Sequence, residues 1–318
     1  MPVMNEYFKS LILRTTGASA YIQKEVIQSL WSGYGQIIRL ELVDSAFKSV
    51  VVKHVQLPNA QRHPRGWNTA ISHQRKLKSY QVECTWYERY SDQSRARLPQ
   101  CFAVETYQDE VLMILEDLDS AGYPLRKQRL EWKEIAACLE WLAKFHASFV
   151  GKAPDGLWSI GTYWHLATRP QELEALDDPH LRAAAPAIDH HLNACQYKTW
   201  VHGDAKLANF CFSPNGQPAG VDFQYVGGGC GMKDVAYFVG SCLDEQACER
   251  LEAQILDTYF EYLQKALPTE NEALEAEWRS LYRVAWADFH RFLKGWSPAH
   301  WKLNTYSERI TKEVINHL

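Results

Sequence analysis

The sequence lacks C-x-x-C pairs, long apolar runs, internal repeats and any excess of basic residues. Its eight cysteines stand singly, which excludes the common zinc and redox motifs and predicts reduced thiols in a cytosolic (cytoplasmic) protein. No stretch approaches the ~20 apolar residues that span a bilayer. We therefore expect neither a secretory signal nor a membrane partner. With 34 Lys and Arg against 38 Asp and Glu, the net charge of −4 argues against a nucleic-acid partner.

The composition that is present is that of an ordinary globular protein. Hydrophobic residues make up 46% and charged residues 23% of the chain, which argues against a fibrous or disordered protein. Its 318 residues suggest two domains or lobes. Charge is uneven, because residues 48–97 are rich in Lys and Arg and residues 241–280 in Asp and Glu. These segments either face phosphates and a cationic substrate, respectively, or are solvated helix faces.

Hydrophobic periodicity predicts an α+β fold with two lobes. The expected N-terminal elements are a short helix running into an extended segment over 18–30, strands at 36–42 and 47–55, a loop at 56–68, a long helix at 69–90, and strands at 100–107 and 110–116. The expected C-terminal elements are helices at 131–150, 170–194, 233–266, 271–294 and 303–316, with a strand–loop–strand region at 198–224. We expect a small N-lobe with an antiparallel sheet over 1–118 and a larger, mainly helical C-lobe over 119–318. Ligands usually bind where two such lobes meet.

One loop concentrates residues that can do chemistry. After an apolar strand that ends at His202-Gly203, the chain presents Asp204, Lys206 and Asn209, and a second apolar strand ends in Asp222 eighteen residues after Asp204. Oxygen ligands from Asn209 and Asp222 suit Mg²⁺. Asp204 is then expected to take the proton of an attacking hydroxyl, while Lys206 stabilises a transferring phosphoryl group. His-Gly-Asp alone is also a good turn, but the full spacing predicts phosphoryl transfer.

The stretch 202–209, followed by Asp222, resembles the aminoglycoside phosphotransferase and choline kinase families, and most of all their ecdysteroid-kinase-like branch. These families share the protein-kinase-like fold, which the resemblance therefore implies for this chain. Lys53, in a valine-rich strand, resembles the lysine that touches the ATP phosphates. Glu83 resembles its helix-borne partner. Glu88 is the rival, because thirty residues separate Lys53 from Glu83.

The resemblance also implies roles for segments around a nucleotide. Glu116 and Leu118 lie in a stretch that looks like the hinge bordering the adenine. Asp234 lies in a segment that resembles the one whose acid braces the catalytic loop. The turn at Gly33 and Gly35 is too short for a full glycine-rich loop, so it either caps phosphates with its backbone amides or is a plain hairpin turn. The cofactors implied are ATP and Mg²⁺.

The predicted function is an ATP- and Mg²⁺-dependent kinase that acts on a hydroxyl of a small-molecule alcohol. Because C-terminal helices shape the acceptor pocket in the resembling families, Asp288, His290 and Trp296 are candidate substrate contacts. The aromatic residues of the C-lobe suit a flat apolar alcohol such as a steroid, whereas the acidic 241–280 segment suits an amino-alcohol or an aminoglycoside. The branch that the chain resembles favours the apolar alcohol.

Two other functions stay open at this point, an inactive nucleotide-binding pseudokinase that serves as a scaffold and a protein kinase. A pseudokinase usually loses its metal-binding or base residues, and here all of them are present. Phe223-Gln224 follows the second acid where Phe-Gly is found in protein kinases. No recognisable activation segment comes after Asp222, so no peptide-docking platform is evident.

Overall fold

The computed structural model describes residues 4–30, 33–56 and 70–318, so the loop expected at 56–68 lies almost wholly outside the described residues. The strands are β1 (Ala20–Ser29), β2 (Gly35–Val43), β3 (Ser49–Gln56), β4 (Cys101–Tyr107), β5 (Glu110–Glu116), β6 (Thr199–Val201), β7 (Phe210–Phe212), β8 (Pro218–Gly220) and β9 (Gly227–Gly229). The helices are α1 (Glu6–Thr16), α2 (Ala70–Arg89), α3 (Trp132–Phe149), α4 (Pro170–Glu174), α5 (Pro179–Asn193), α6 (Met232–Cys242), α7 (Glu245–Ala266), α8 (Glu272–Trp296) and α9 (Thr305–His317). The α+β fold class predicted from the sequence is confirmed.

The N-terminal strands form one antiparallel sheet in the order β1-β2-β3-β5-β4. Side chains alternate between the two faces of a strand, so β3 contributes to two separate cores. Val50 and Val52 pack with the apolar side of α1, whereas Val55 joins the larger core to which α2 contributes. Lys53 has the parity of Val55 and therefore lies on the face towards α2.

The prediction of a helix at the start of 18–30 is wrong, because this segment forms strand β1 and the helix lies upstream as α1. Asn5 caps α1 by accepting a hydrogen bond from a backbone N–H, and Gly17 ends it in a left-handed conformation with φ 65°. Strand β1 is a mostly exposed edge strand with two register shifts against β2. An exposed, irregular edge strand has no clean alternation of apolar and polar residues, so periodicity misassigned it.

Two expected C-terminal helices are each divided in the structure. The segment 170–194 forms α4 and α5, and α5 begins with Pro179 after the capping side chain of Asp178. The segment 233–266 forms α6 and α7, and Asp244 caps the start of α7. Capping residues inside long helical patterns mark these new starts.

A continuous apolar core connects α2 with the C-terminal helices and brings the two candidate-site regions together. Trp86 of α2 stacks on Phe223, which follows Asp222, with ring centroids 4.9 Å apart. Phe145 of α3 packs against both rings. None of the helices in the described part of the chain has both the length and the apolar character that crossing a bilayer requires.

Candidate active site

The loop after β6 is held in place by one buried carboxylate. Asp234, fully buried on α6, accepts hydrogen bonds from the backbone N–H groups of His202 (2.5 Å) and Gly203 (2.9 Å). Its carboxylate also contacts His146 Nε2 at 3.1 Å. Gly203 has φ 78°, and a Cβ there would lie 2.2 Å from the carbonyl oxygen of Tyr225. The close backbone approach therefore requires glycine at this position.

Asp204 follows this glycine and lies with only 5% of its surface exposed. Its Oδ2 accepts hydrogen bonds from Lys206 Nζ (2.9 Å) and from Asn209 Nδ2 (3.0 Å), and the Asn209 amide also binds the Asp204 carbonyl at 2.8 Å. The other oxygen, Oδ1, is buried without a hydrogen-bond partner. Burial raises the pKa of Asp204, although the charge of Lys206 opposes this shift. One carboxylate oxygen is thus held by the protein and the other is available to a ligand.

Asp222 does not end a strand as expected, because β8 stops at Gly220 and Asp222 follows it with a positive φ of 69°. Its Oδ1 lies 3.6 Å from Lys53 Nζ, and 38% of its side chain is exposed. Burial of the carboxylate opposes its ionisation, but the positive charges of Lys53 and Lys76 outweigh burial and lower the pKa of Asp222. The group is therefore anionic at neutral pH.

Lys53 forms a buried ion pair with α2. Its Nζ lies 2.8 Å and 2.7 Å from the two carboxylate oxygens of Glu83, and both residues are almost fully buried. Burial opposes the charged form, yet Glu83 and Asp222 together raise the pKa of Lys53. Of the two candidate partners, Glu83 is therefore the one that contacts Lys53, whereas Glu88 lies exposed further along α2. One ammonium group thus connects the N-terminal sheet, α2 and the loop of Asp222.

The oxygen atoms around this point fit a magnesium ion by their chemistry. The Asn209 amide nitrogen is used by Asp204, which leaves the amide oxygen to face a ligand, and Asp222 contributes a carboxylate. The Oδ1 atoms of Asp204 and Asp222 are both buried without a hydrogen-bond partner. Within residues 4–30, 33–56 and 70–318, no group of three or more His, Cys, Asp or Glu side chains could hold a metal ion by itself. The protein would therefore supply only two of the ligands. Proteins commonly hold Mg²⁺ in this way, with phosphate oxygens of the substrate completing the coordination.

The residues expected around the nucleotide lie in four different settings. Glu116 ends β5 and pairs through both carboxylate oxygens with Arg97, at 2.7 and 2.8 Å. Leu118 is buried in a small apolar cluster beside it. A Cβ at Gly35 would lie 2.0 Å from the His54 carbonyl, so this glycine serves close strand pairing, whereas Gly33 has φ 77° and open space around it.

Two of the three candidate substrate contacts are used inside the protein. Asp288 is buried, and its carboxylate accepts hydrogen bonds from Arg291 (2.7 Å) and Trp164 Nε1 (3.0 Å). His290 is buried and contacts Ser307 Oγ at 3.1 Å. These contacts explain why both polar residues occur on an apolar helix. They occupy both carboxylate oxygens of Asp288 and the Nδ1 atom of His290. Trp296 is 45% exposed at the end of α8.

Sequence reasoning missed several side chains that border the site. Lys76 Nζ donates to Gln224 Oε1 at 2.9 Å and lies 4.6 Å from the ring centroid of Tyr80. Burial and the charge of Lys53 lower the pKa of Lys76 to about 8. The spacing of Lys76, Tyr80 and Glu83 on α2 places them on one helix face. This spacing is the sequence signal from which Lys76 and Tyr80 could have been predicted to lie beside Glu83.

Comparison with known proteins places this geometry in a family. A model of the phosphotransferase enzyme family matches residues 116–282, which is more than half of the chain, and a model of the ecdysteroid kinase-like family matches residues 44–154. No curated protein sequence matches the chain.

Several solved structures are similar over nearly the whole chain. One, named as an aminoglycoside phosphotransferase of Ralstonia eutropha JMP134, has a TM-score of 0.53 at 13% identity, covering 98% of this chain and 94% of that one. A spectinomycin phosphotransferase in complex with ADP and spectinomycin has a TM-score of 0.54 at 11% identity, with coverage of 98% and 95%. A mutant aminoglycoside phosphotransferase in complex with AMP-PNP and hygromycin B has a TM-score of 0.51 at 12% identity, with coverage of 97% of both chains. At these identities the likeness establishes a shared fold.

The fold is therefore the protein-kinase-like fold of small-molecule phosphotransferases, as the resemblance implied. The match over more than half of the chain makes the assignment specific: the chain belongs to the phosphotransferase enzyme family. The predicted resemblance to the aminoglycoside phosphotransferase and ecdysteroid-kinase-like families is confirmed, and so is the prediction of a kinase enzyme.

Proposed function

We propose that this enzyme transfers the γ-phosphoryl group of ATP, with Mg²⁺, directly to a hydroxyl of a small-molecule alcohol. The observation that carries the proposal is the position of Lys53 Nζ, which contacts Glu83 at 2.7 Å and Asp222 at 3.6 Å. In this reading, residues 1–118 bind the nucleotide and residues 119–318 supply the catalytic loop and the acceptor pocket. Phosphoryl transfer requires these groups at one point, because catalysis rests on positioning and charge stabilisation.

Asp204 is the proposed base. Its Oδ2 is fixed by Lys206 and Asn209, and its unpartnered Oδ1 is free to accept the proton of the acceptor hydroxyl. The raised pKa of Asp204 brings its basicity closer to working pH, which improves a general base. We assign to Lys206 the role of neutralising negative charge on the phosphoryl group in transfer, because its ammonium group already lies beside the carboxylate of Asp204.

Asn209 and Asp222 would hold Mg²⁺ through their oxygen atoms, and the ion would neutralise phosphate charge. Lys53, kept charged by Glu83, would bind the nucleotide phosphates. The segment of Glu116 and Leu118 would border the adenine ring of ATP. It would do so through backbone and apolar groups, because the Glu116 carboxylate is used by Arg97. At the other end of the nucleotide, the open turn at Gly33 is the better of the two glycines for capping phosphates, because Gly35 packs against β3.

Calorimetric titration of ATP, with and without Mg²⁺, tests the nucleotide and metal parts of this proposal. We expect binding that requires Mg²⁺ in the wild type, loses at least tenfold in affinity in Asp222→Ala, and is unchanged in the exposed control Asp177→Ala. Absence of nucleotide binding would favour a scaffold over a kinase.

Phosphoryl transfer to a panel of alcohols, measured by mass spectrometry, tests the base. Asp204→Asn should abolish product while ATP affinity stays within about twofold. Product formation at the wild-type rate in Asp204→Asn would refute the proposed mechanism. Label that appears in protein rather than in small molecules would favour a protein kinase.

A further inference from the structure

Lys76 lies on the face of α2 that borders the proposed active site. It precedes Glu83 by seven residues, which is two turns along the same helix face. Its Nζ lies 4.6 Å from the ring centroid of Tyr80, and Lys53 Nζ lies 6.0 Å from the same centroid. Two ammonium groups therefore lie beside one tyrosine ring, and both belong to the same site.

Lys76 differs from Lys53 and Lys206 in its partner. Lys53 Nζ lies 2.7 Å from a carboxylate oxygen of α2, and Lys206 Nζ lies 2.9 Å from one in the catalytic loop. Lys76 Nζ instead donates to the amide oxygen of Gln224 at 2.9 Å, and it has no carboxylate within 4.0 Å among the residues that the structure describes. A partly buried ammonium without an anionic partner is unfavourable. An anionic group on a ligand would remove that cost.

Gln224 orients Lys76 without neutralising its charge. Gln224 is 5% exposed, and its amide oxygen also accepts a hydrogen bond from Ser79 Oγ at 3.4 Å. Its backbone carbonyl accepts a hydrogen bond from Trp158 Nε1 at 2.9 Å. Because these contacts hold an uncharged acceptor in place, Lys76 is directed towards the loop of Asp222 and keeps its charge for a ligand.

The charges that act on Lys76 show which groups it can reach. Burial and repulsion from Lys53 lower the pKa of Lys76 to about 8, so the ammonium form prevails at pH 7. Attraction to Asp222, Glu83 and Asp204 opposes this shift. The ammonium group is therefore within electrostatic reach of both the proposed metal ligand and the proposed base.

Solvent reaches this part of the site. The exposed fraction is 38% for the Asp222 side chain and 37% for the Lys206 side chain, and Lys76 is itself only partly buried. The charges of Lys53 and Lys76 both act on the carboxylate of Asp222 and lower its pKa. The site is thus open to a ligand at the point where these positive charges converge.

We propose that Lys76 binds the terminal phosphoryl group of the nucleotide and so distinguishes a nucleoside triphosphate from a diphosphate. This inference rests on the proposed function, in which Asp222 lies at the phosphates and Asp204 at the acceptor. The group in transfer lies between these two carboxylates. Lys76 is within reach of both and, unlike Lys206, pairs with no carboxylate in the described part of the chain. Because the contact is lost when the phosphoryl group leaves, ADP is held less tightly than ATP and is released.

Calorimetric titration of AMP-PNP and of ADP, each with Mg²⁺ at pH 7, tests this assignment. We expect wild type to bind AMP-PNP about tenfold more tightly than ADP, because a hydrogen bond to a charged group contributes about that factor. Lys76→Met should weaken AMP-PNP binding about tenfold and ADP binding less than about twofold. Lys78→Met is the matched control on α2, two residues along and on a different face, and it should keep the wild-type preference.

A second variant tests the charge of Lys76 itself. Gln224→Glu keeps the size of the side chain and gives Lys76 a carboxylate partner in place of the amide. The new carboxylate competes with the terminal phosphoryl group for the ammonium. The ratio of AMP-PNP affinity to ADP affinity should therefore fall several-fold, although Lys76 is still present.

Equal weakening of AMP-PNP and ADP in Lys76→Met would overturn the assignment and leave Lys76 as a structural contact of α2. Unchanged binding of both would also overturn it, as would a wild type that binds both nucleotides equally, or a Gln224→Glu variant that keeps the full preference. In each of these outcomes nucleotide binding persists, so the proposed function stands. Absence of binding of either nucleotide to wild type would instead refute the proposed function together with this inference.

Discussion

Asp234→Asn is expected to lower the free energy of unfolding by about 3 kcal/mol. The wild-type carboxylate is fully buried and accepts one backbone N–H on each oxygen, from His202 on Oδ2 and from Gly203 on Oδ1. An asparagine can accept only one of them, because its amide nitrogen would face the other donor. Hydrogen bonds to a charged group contribute about 1.5–3 kcal/mol, and a buried donor left without an acceptor costs about 1–3 kcal/mol.

Urea unfolding followed by tryptophan fluorescence measures this loss. The control is Asp244→Asn, which exchanges the same two residue types at the exposed N-cap of α7, where both cap equally well and the change should be near zero. Because Asp234 holds the loop that carries Asp204, turnover should fall more than ATP affinity. A stability within about 0.5 kcal/mol of the control would refute the reasoning, since that is the range of ordinary surface substitutions.

Three further predictions test other parts of the structure. Gly203→Ala should destabilise the protein more than Gly122→Ala in the same unfolding assay. Both glycines have a positive φ, but only at Gly203 would the added Cβ lie 2.2 Å from a carbonyl oxygen. Equal losses of unfolding free energy would contradict the close approach. Glu83→Gln should weaken ATP binding several-fold in calorimetry by releasing Lys53, whereas the exposed Glu88→Gln should not, and the reverse order would reject the pairing. Burial lowers the pKa of His290 from 6.5 to about 4, so the unfolded chain binds a proton below about pH 6.5 that the native protein takes up only near pH 4. Stability should therefore fall by about 3 kcal/mol as the pH drops through this window, and His290→Gln should flatten the profile; an unchanged slope would contradict it.

The residues that sequence analysis brought together are close neighbours along the chain. Asp204, Lys206 and Asn209 lie within one loop, whose geometry depends on local backbone and a single glycine, so their spacing alone indicated that they belong to one site. Their mutual hydrogen bonds are seen only in the structure. Lys53 was recognisable because a lysine inside a valine-rich strand needs a partner, although the partner could not be fixed by spacing. The contact with Glu83 depends on how α2 packs against the sheet.

The parts that sequence analysis missed depend on packing between distant segments. Lys302 Nζ lies 4.9 Å from the ring centroid of Tyr237, although Lys302 belongs to the segment between α8 and α9, 65 residues later in the chain, and no local pattern marks this contact. Asp288 and His290 were candidate substrate contacts because C-terminal helices shape the acceptor pocket in the families that the chain resembles. The structure buries both residues and gives them the partners Arg291 and Ser307.

The left-handed backbone at Asp222 restricts which residues can be accepted there over evolutionary time. Its φ of 69° lies in a region that aspartate, asparagine and glycine enter more easily than other residues. Glutamate would keep the charge but not this conformational ease, so the substitution usually called conservative is the harder one. A lineage that gives up the carboxylate would pass most readily through asparagine or glycine. The residues that position 222 can accept are thus limited by the backbone conformation there as well as by the chemistry of the side chain.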